Sequence, residues 1–398
     1  MMRKVLCYIG YVVRIIATTI TVLILLAGCG KSEPIAAPVP ATATRIALEP
    51  THTPLLPTAI PPTVMPTDVP PTEVQPTATS VPTMATAIPA TPTRTPVRPS
   101  PTPVEADEVE VLTTLSGHND KVIDLAFSGD GTYIASSSLD RTIRLWDVTS
   151  RQEVDAFSMN KVGFNGIAFS PDGRLLASAD AIWDVESRQV VHTLEQSRQV
   201  PGPVAFSPDG SLLAVALEGQ PIKLWDVASG KVLRTFSEQA DDVTFRIVFS
   251  PDGALLAAGV HGGMVRLWEV ERGQIAGTLE YGSKEHDVHD VAFSPNGKLL
   301  ASGGTDETVR LWDVASRQVM HTLRHGNGLY GMAFSPDGSM VASAGCDRMV
   351  KLWAVASGRL LRSLPHGDEV MTVVFSPDGK LLASGGYDQK IYLWGMSR

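Results

Sequence analysis

From residue 108 onward, short apolar runs alternate with tight polar turns, and this pattern repeats seven times. Residues 288–323 form one copy, VHDVAFSPNGKLLASGGTDETVRLWDVASRQVMHTL. Its Ser-Pro-Asn-Gly segment is a tight turn, because proline pre-sets φ at the second position and glycine accepts the left-handed conformation. Gly-Gly-Thr-Asp and Ala-Ser-Arg mark two further turns. The apolar runs between the turns are too short for helices, so each copy is predicted to form four antiparallel strands.

Every copy carries a phenylalanine in its first strand and a tryptophan in its third. The phenylalanines are Phe127, Phe169, Phe206, Phe249, Phe293, Phe334 and Phe375, and the tryptophans are Trp146, Trp183, Trp225, Trp268, Trp312, Trp353 and Trp394. Successive phenylalanines stand 37 to 44 residues apart. Repeated four-stranded units of this length build β-propellers. The predicted fold class is therefore all-β, a seven-bladed β-propeller over residues 108–398.

Trp-Asp dipeptides end the third strand in four of the copies. These dipeptides are Trp146-Asp147, Trp183-Asp184, Trp225-Asp226 and Trp312-Asp313, and Gly117-His118 precedes the first copy. The repeats resemble the WD40 family over residues 108–398, although the fourth, sixth and seventh copies lack the aspartate. The resemblance implies a non-enzymatic scaffold for protein–protein interactions, which binds unidentified protein partners on the face where the inner strands begin.

The resemblance also implies a hydrogen-bonded set of His, Ser, Asp and Trp inside a blade. Blades one, six and seven, numbered after the copies, hold all four: His118, Ser136, Asp140, Trp146; His325, Ser343, Asp347, Trp353; and His366, Ser384, Asp388, Trp394. A histidine beside a carboxylate and a hydroxyl looks like a catalytic triad, but recurrence in three blades favours a packing role. In blade five, the residue nine before the phenylalanine is Lys284.

Two copies are irregular. The seventh ends with its third strand, QKIYLWGMSR, while residues 109–115 form a strand that follows no blade. We expect this N-terminal strand to complete blade seven and close the ring, because closure removes a free sheet edge. The second copy is shorter, with 14 residues from phenylalanine to tryptophan against 19 elsewhere. It is expected to have a truncated hairpin.

The residue four before each phenylalanine marks the start of an inner strand, and we name these positions the mouth residues. They are Ile123, Asn165, Gly202, Phe245, His289, Tyr330 and Met371. The large side chains among them suit an interaction hot spot. All of them except Gly202 are therefore candidate partner-binding residues. The alternative is that they only plug the top of the central channel.

The first 28 residues are typical of an export signal. An apolar stretch of twelve residues, 15–26, is shorter than the roughly 20 that a spanning helix needs. Leu26-Ala27-Gly28-Cys29 resembles the bacterial lipobox, which implies removal of residues 1–28 and attachment of lipid to Cys29. The predicted localisation is then the bacterial cell membrane or cell envelope. The alternative is an uncleaved N-terminal anchor in which this cysteine is incidental.

Between the signal and the repeats, residues 29–107 are rich in proline and threonine. Residues 34–103 contain 19 of the 29 prolines, and no Phe, Trp or Tyr occurs between Lys31 and Val122. So little apolar surface cannot offset the entropy of ordering, so we expect a disordered tether. Such a tether would hold the propeller away from the membrane surface.

The charge and the remaining motifs exclude several functions. A net charge of −9 without basic clusters makes nucleic acid an unsuitable partner. We expect no metal and no cofactor, since phosphate loops, paired zinc cysteines and a nucleophile elbow are all missing. An envelope enzyme or small-ligand receptor is the alternative function, and Asp124, Arg246, His289 and Asp290 are the polar groups it would use. The propeller is expected to be monomeric. If Cys7 is removed with the signal and Cys29 is acylated, Cys346 has no cysteine partner.

Overall fold

The computed structural model describes residues 109–159, 166–194, 201–236 and 243–396. The signal segment, the tether and Asn165 lie outside these residues. Within them, 28 strands form seven four-stranded antiparallel sheets, which confirms the predicted all-β, seven-bladed propeller. No helix among these residues is long and apolar enough to cross a membrane.

Each sheet is one blade, and the strands follow one another from the channel to the rim. Blade one contains β2 (Val122–Phe127), β3 (Tyr133–Ser138), β4 (Thr142–Asp147) and β5 (Glu153–Ser158). Blade two contains β6 (Ile167–Phe169), β7 (Leu175–Ser178), β8 (Ala181–Asp184) and β9 (Val190–Thr193). Blade three contains β10 (Pro201–Phe206), β11 (Leu212–Leu217), β12 (Gln220–Asp226) and β13 (Lys231–Phe236).

The remaining blades have the same order. Blade four contains β14 (Thr244–Phe249), β15 (Leu255–Val260), β16 (Met264–Glu269) and β17 (Gln274–Glu280). Blade five contains β18 (Val288–Phe293), β19 (Leu299–Gly304), β20 (Thr308–Asp313) and β21 (Val319–Arg324). Blade six contains β22 (Leu329–Phe334), β23 (Met340–Gly345), β24 (Met349–Ala354) and β25 (Leu360–Pro365). Blade seven contains β26 (Val370–Phe375), β27 (Leu381–Gly386), β28 (Lys390–Met396) and β1 (Val109–Ser116).

The Ser-Pro-Asx-Gly turns are held by their own side chains. In blade five, the Ser294 hydroxyl donates to the Asn296 side chain at 2.8 Å and accepts from the Leu299 amide at 2.9 Å. Gly297 has a φ of 69°, a left-handed conformation that glycine adopts without strain. The turn therefore fixes where the first strand of a blade ends and the second begins.

The tryptophans pack between neighbouring blades, which stacks the sheets round the ring. Trp268 of blade four lies in one apolar cluster with Ile222 of blade three. Trp146 of blade one shares a cluster with Ile391 of blade seven, so the stacking continues across the point where the chain closes. All seven tryptophans are buried, at 0 to 7% exposure. Hydrophobic burial between sheets is thus the main force that holds the ring together.

The N-terminal strand closes the ring, as predicted. β1 pairs antiparallel with β28 from Val109 opposite Met396 to Ser116 opposite Lys390. Leu115 is 4% exposed and lies in the cluster that joins blades seven and one. One strand therefore completes a sheet and also fills the core between the first and last blades.

Blade two is the smallest blade. Its inner strand has three residues and its other strands have four each. β7 and β8 are joined by Ala179 and Asp180 alone, which gives the truncated hairpin expected from the sequence.

Candidate functional site

The mouth residues of six blades line one cavity at the channel mouth. The cavity has a free volume of about 940 Å³, including its open mouth. The mouth residues that line it are Ile123, Gly202, Phe245, His289, Tyr330 and Met371. Asn165, the seventh mouth residue, is outside the described residues. Residues that stand four positions before each phenylalanine in the sequence thus line the same cavity in the structure.

A β-bulge explains why these side chains turn toward the cavity. In five inner strands, the pairing register with the second strand skips one residue. The skipped residues are Ile123, Phe245, His289, Tyr330 and Met371. A bulge leaves its extra residue outside the ladder and redirects its side chain. Sequence periodicity alone did not indicate this feature.

Three of the mouth residues form an aromatic row across blades four, five and six. The rings of Phe245 and His289 are edge to face, with centroids 4.9 Å apart. His289 and Tyr330 are stacked, at 5.6 Å and an interplanar angle of 15°. All three side chains are half-buried, so each also presents surface to the cavity. Aromatic side chains of this kind are typical anchors in protein interfaces.

The other two large mouth residues are mostly covered. Ile123 is 9% exposed and Met371 is 7% exposed. They line the cavity wall but offer little surface of their own. The exposed part of the candidate site is therefore the aromatic row formed by Phe245, His289 and Tyr330.

An ion-pair brace crosses the channel beneath the aromatic row. Arg246 of blade four donates from Nη1 to Asp124 of blade one at 2.8 Å, and its Nε lies 3.3 Å from an oxygen of Asp290 in blade five. Asp124 also accepts from the Ile167 amide at 3.1 Å, and Asp290 accepts from the Met332 amide at 2.5 Å. We name Asp124, Arg246 and Asp290 the channel brace. It connects blade one across the channel to the neighbouring blades four and five.

Burial controls the protonation of the groups at this site. Desolvation raises the pKa of Asp290 to about 6, and the neighbouring Arg246 partly opposes this rise. Desolvation lowers the pKa of His289, whose Nδ1 lies 2.8 Å from the Leu329 carbonyl oxygen, to which it donates. His289 is therefore a neutral ring at physiological pH.

In blades one and six, the structure brings the four residues of the implied set together. In blade one, the Trp146 indole donates to the Ser136 hydroxyl at 2.8 Å, and that hydroxyl lies 2.7 Å from Nε2 of His118. The opposite ring nitrogen of His118 donates to Asp140 at 2.9 Å. Burial lowers the pKa of His118. Burial of Asp140 acts to raise its pKa, but hydrogen bonds from Thr142, the Asn119 amide and His118 together outweigh it and lower the pKa to about 2.

Blade six repeats the arrangement with the ring nitrogens exchanged. His325 contacts Ser343 through Nδ1 at 2.9 Å and Asp347 through Nε2 at 3.0 Å, and Trp353 donates to Ser343 at 2.8 Å. Such a set satisfies buried polar groups inside the blade, which is a structural role.

Blade seven holds only part of the set. His366 and Trp394 both contact the Ser384 hydroxyl at 2.7 Å. Asp388 instead accepts from the Tyr392 hydroxyl at 2.9 Å. Nδ1 of His366 has no hydrogen-bond partner among the described residues, and burial lowers the His366 pKa to about 4. Asp388, which the sequence analysis expected to bond to His366, is therefore bonded to Tyr392 instead.

In blade five, Tyr281 takes the position of the histidine of the polar set. The sequence count of nine residues before the phenylalanine had placed Lys284 there. Its hydroxyl lies 2.5 Å from the Ser302 hydroxyl, which accepts from the Trp312 indole at 2.7 Å. The loop before this inner strand is longer, so a backward count falls on the wrong residue. Counting two residues forward from the last buried leucine of the outer strand, Leu279, gives Tyr281. The same count from Leu323 gives His325.

Blades three and four replace the set with apolar packing. The indole nitrogens of Trp225 and Trp268 have no hydrogen-bond partner among the described residues. Phe236 packs against Trp268 at 6.0 Å between ring centroids, and Ala258 stands where other blades have serine. These blades therefore depend on burial alone at this position.

Two further expectations concern histidines and cysteines. Among the described residues, no group of three or more His, Cys, Asp or Glu is placed to hold a metal ion. In the full-length chain Cys346 is disulfide-bonded, so it has a partner before any processing. The expectation that it lacks one concerned the chain after removal of residues 1–28 and acylation of Cys29, and it stays a prediction. The chain has two other cysteines, Cys7 and Cys29, and both lie outside the described residues.

Comparison with known proteins gives matches along most of the propeller. The family model for the WD domain, G-beta repeat, matches residues 109–147, 230–269, 275–313, 317–354 and 358–395. The unmatched stretch from 148 to 229 contains the shortened blade two and much of blade three. The truncated hairpin of blade two is one departure from the family pattern within this stretch.

Curated relatives align over short segments. A component of chromatin assembly factor 1 from Gallus gallus is 38% identical over 68 residues, which is 17% of this chain and 12% of that protein. WD repeat-containing protein 36 of Homo sapiens is 34% identical over 70 residues, 18% of this chain and 8% of that protein. An uncharacterized WD repeat-containing protein of Synechocystis is 43% identical over 61 residues, 15% of this chain and 18% of that protein. The chain therefore spans less than a fifth of the length of these relatives.

Together with the fold, the matches show that the chain carries WD40 repeats, arranged as a seven-bladed β-propeller.

Proposed function

We propose that this chain is a non-enzymatic scaffold for protein–protein interactions, displayed at the cell envelope on a lipid-anchored stalk. The observation that supports the interaction role most directly is the aromatic row at the cavity mouth. Phe245, His289 and Tyr330 come from three blades, so a partner that contacts the row meets a rigid surface. Rigid aromatic anchors lose little entropy on binding and commonly carry most of the affinity.

The alternative is an envelope enzyme or a small-ligand receptor that uses the polar groups in the channel. Asp124 and Asp290 are the carboxylates that such a site would need. Both accept hydrogen bonds from backbone amides and form ion pairs with Arg246, so their oxygens are already engaged in the channel brace. A general base must reach the proton of its substrate. The engagement of both carboxylates favours the scaffold.

Replacement of Phe245 and Tyr330 together by alanine is expected to abolish partner capture without unfolding the ring. Both side chains are half-buried at the mouth, and their loss removes two of the three rings in the row. The measurement is affinity capture of crosslinked partners from intact envelopes, followed by mass spectrometry.

A matched control for this variant is Val232→Ala with Leu233→Ala on β13 at the outer rim. Those side chains are 41% and 59% exposed, so the control truncates two apolar side chains on an outer strand, outside the cavity lining. It is expected to capture partners like the wild type. Full capture by the Phe245→Ala/Tyr330→Ala variant, at unchanged thermal stability of both proteins, would contradict the proposed site.

The anchor in this proposal rests on the N-terminal sequence. Leu26-Ala27-Gly28-Cys29 follows a short apolar stretch and precedes a proline-rich tether. Two or more acyl chains bind a membrane stably, because each buried methylene contributes about 0.8 kcal/mol. A lipid on Cys29 would keep the ring at high local concentration beside envelope partners.

Replacement of Cys29 by serine is expected to release the protein from the membrane fraction. Intact mass spectrometry of the wild-type mature chain should show a new N-terminus at Cys29 with added acyl mass. Because Cys346 is disulfide-bonded, the same spectrum after reduction separates the two fates of the Cys29 sulfur, thioether lipid or disulfide. A reducible bond on Cys29 with no acyl mass would overturn the anchor.

A further inference from the structure

The geometry points to a specific chemistry at the mouth: we infer that the cavity binds the guanidinium of a partner's arginine, carried on an extended segment. This inference rests on the proposed interaction face and adds what that face recognises. It is supported by the charge of the cavity, by the aromatic row and by the way the channel already holds one guanidinium.

The cavity is acidic. Among the described residues, its lining includes the carboxylates of Asp124, Glu218 and Asp290 but only one permanent cation, Arg246. With all four groups ionised the formal charge of the lining is −2. A concave site lined by one sign of charge attracts the opposite charge and repels its own. The whole chain is also acidic, at −9, so carboxylate and phosphate ligands are disfavoured at close and at long range.

The aromatic row offers the surface on which a guanidinium stacks. Phe245 and Tyr330 flank His289, at ring separations of 4.9 and 5.6 Å. Arginine lies flat on aromatic faces through cation–π and stacking contacts, more readily than lysine does. Because burial keeps His289 neutral, the middle ring adds no repulsion. The row is therefore compatible with a cation along its whole length.

The channel brace shows that this environment already accommodates a guanidinium. Arg246 lies between Asp124 and Asp290, with contacts of 2.8 and 3.3 Å. Its side chain is 26% exposed and forms the floor of the cavity. An incoming arginine would lie above it, nearer to Glu218, which is half-buried at the turn between β11 and β12. Glu218 is the carboxylate outside the brace, so it is expected to supply the ion pair.

The size of the site limits the ligand. Without the open solvent at its mouth, the cavity has a volume of about 120 Å³, which holds the tip of one side chain but not its backbone. A folded helix is about 10–12 Å in diameter with its side chains and does not enter such a space. The expected ligand is therefore an exposed loop or a disordered segment of the partner, with one arginine inserted.

The test uses a blocked peptide, Gly-Gly-Arg-Gly-Gly, and the same peptide with citrulline in place of arginine. Citrulline has the shape of arginine without its charge. The arginine peptide is expected to bind the full mature protein about tenfold more tightly, and its affinity should fall as salt rises. Chemical shifts of Phe245 and Tyr330 report the site. Ethylguanidinium is a further probe, which shows whether the cation binds without a peptide backbone.

Three variants locate the contact. Glu218→Gln is expected to weaken the arginine peptide several-fold and to reduce its salt dependence, while leaving the citrulline peptide unchanged. Phe245→Leu keeps apolar volume but removes the ring, so it should weaken binding. Leu233→Ala, at an exposed position on the outer strand β13 and outside the cavity lining, is the control and should bind like the wild type.

Equal binding of the two peptides, preference for a glutamate peptide, or no binding of the arginine peptide at millimolar concentration would each overturn the inference. Failure of the inference is distinguishable from failure of the proposed function. If Phe245→Ala/Tyr330→Ala still abolishes partner capture while the arginine and citrulline peptides bind equally, the face stands and only its chemistry is wrong.

Discussion

Deletion of residues 109–116 from the full-length chain is expected to abolish cooperative unfolding of the whole ring. β1 pairs with β28 along its length, so its removal exposes a long sheet edge in blade seven. It also removes Leu115 from the cluster that includes Val122 and Ile391, which joins the first and last blades. Chemical denaturation followed by tryptophan fluorescence measures the effect, since all seven tryptophans lie between blades. A sharp transition at the wild-type midpoint would contradict the closure.

A point variant tests the same closure without changing the chain length. Leu115→Ala is expected to lower the free energy of unfolding by about 2–5 kcal/mol, the usual cost of truncating a buried leucine. Val111→Ala in the same strand is the matched control, because Val111 is 50% exposed. Its effect should stay within about 0.5 kcal/mol. Similar losses for both variants would show that β1 contributes only edge pairing.

The propeller was predictable because its pattern repeats. A turn such as Ser294–Gly297 fixes its own geometry through local hydrogen bonds. Blade one makes the same bonds with Ser-Gly-Asp-Gly, so the serine, the Asx residue and the final glycine are enough to specify the turn. Ring closure was also predictable, since a missing last strand and an extra first strand must pair to leave no edge free. Both features depend on short-range chemistry or on chain topology, which a sequence displays directly.

The polar sets were harder to assign, because each depends on which side chain reaches a shared serine. Tyr281 replaces histidine in blade five, where a longer loop displaces the count that pointed to Lys284. Tyr392 takes Asp388 in blade seven, although His366 stands at the expected position. A fixed offset gives the place of a residue along the chain. It does not decide between two donors that compete for one carboxylate.

The mouth residues and the channel brace show the same limit. The offset from the phenylalanine correctly collected side chains that line one cavity, but the bulge that turns them inward is invisible in the pattern. Asp124, Arg246 and Asp290 were identifiable only as isolated charges near the starts of inner strands. Their contact arises because the ring brings the inner strands of blades one, four and five to one channel.

Replacement of Arg246 by methionine is expected to cost about 3–5 kcal/mol of the free energy of unfolding at neutral pH. Methionine keeps much of the apolar stem, so the loss reflects two buried carboxylates left without their cation. Arg324→Met is the matched control, since Arg324 is exposed on β21 and its effect should stay within about 0.5 kcal/mol. Adding Asp124→Asn and Asp290→Asn to Arg246→Met is expected to recover part of the stability.

The pH dependence of this variant separates lost charge balance from lost packing. The native pKa of Asp290, about 6, lies above its ordinary value of 3.8, so between these values the native state binds more protons than the unfolded chain. This contribution to stability is complete below the ordinary pKa and is lost as pH rises through about 6. Without Arg246 the Asp290 pKa should rise further, because the opposing charge is gone. The penalty for Arg246→Met, measured by urea denaturation, should therefore be smaller at about pH 5 than at about pH 7.5. An equal penalty at both values would mean that the side chain stabilises the ring by packing alone, and the brace would then carry no electrostatic role.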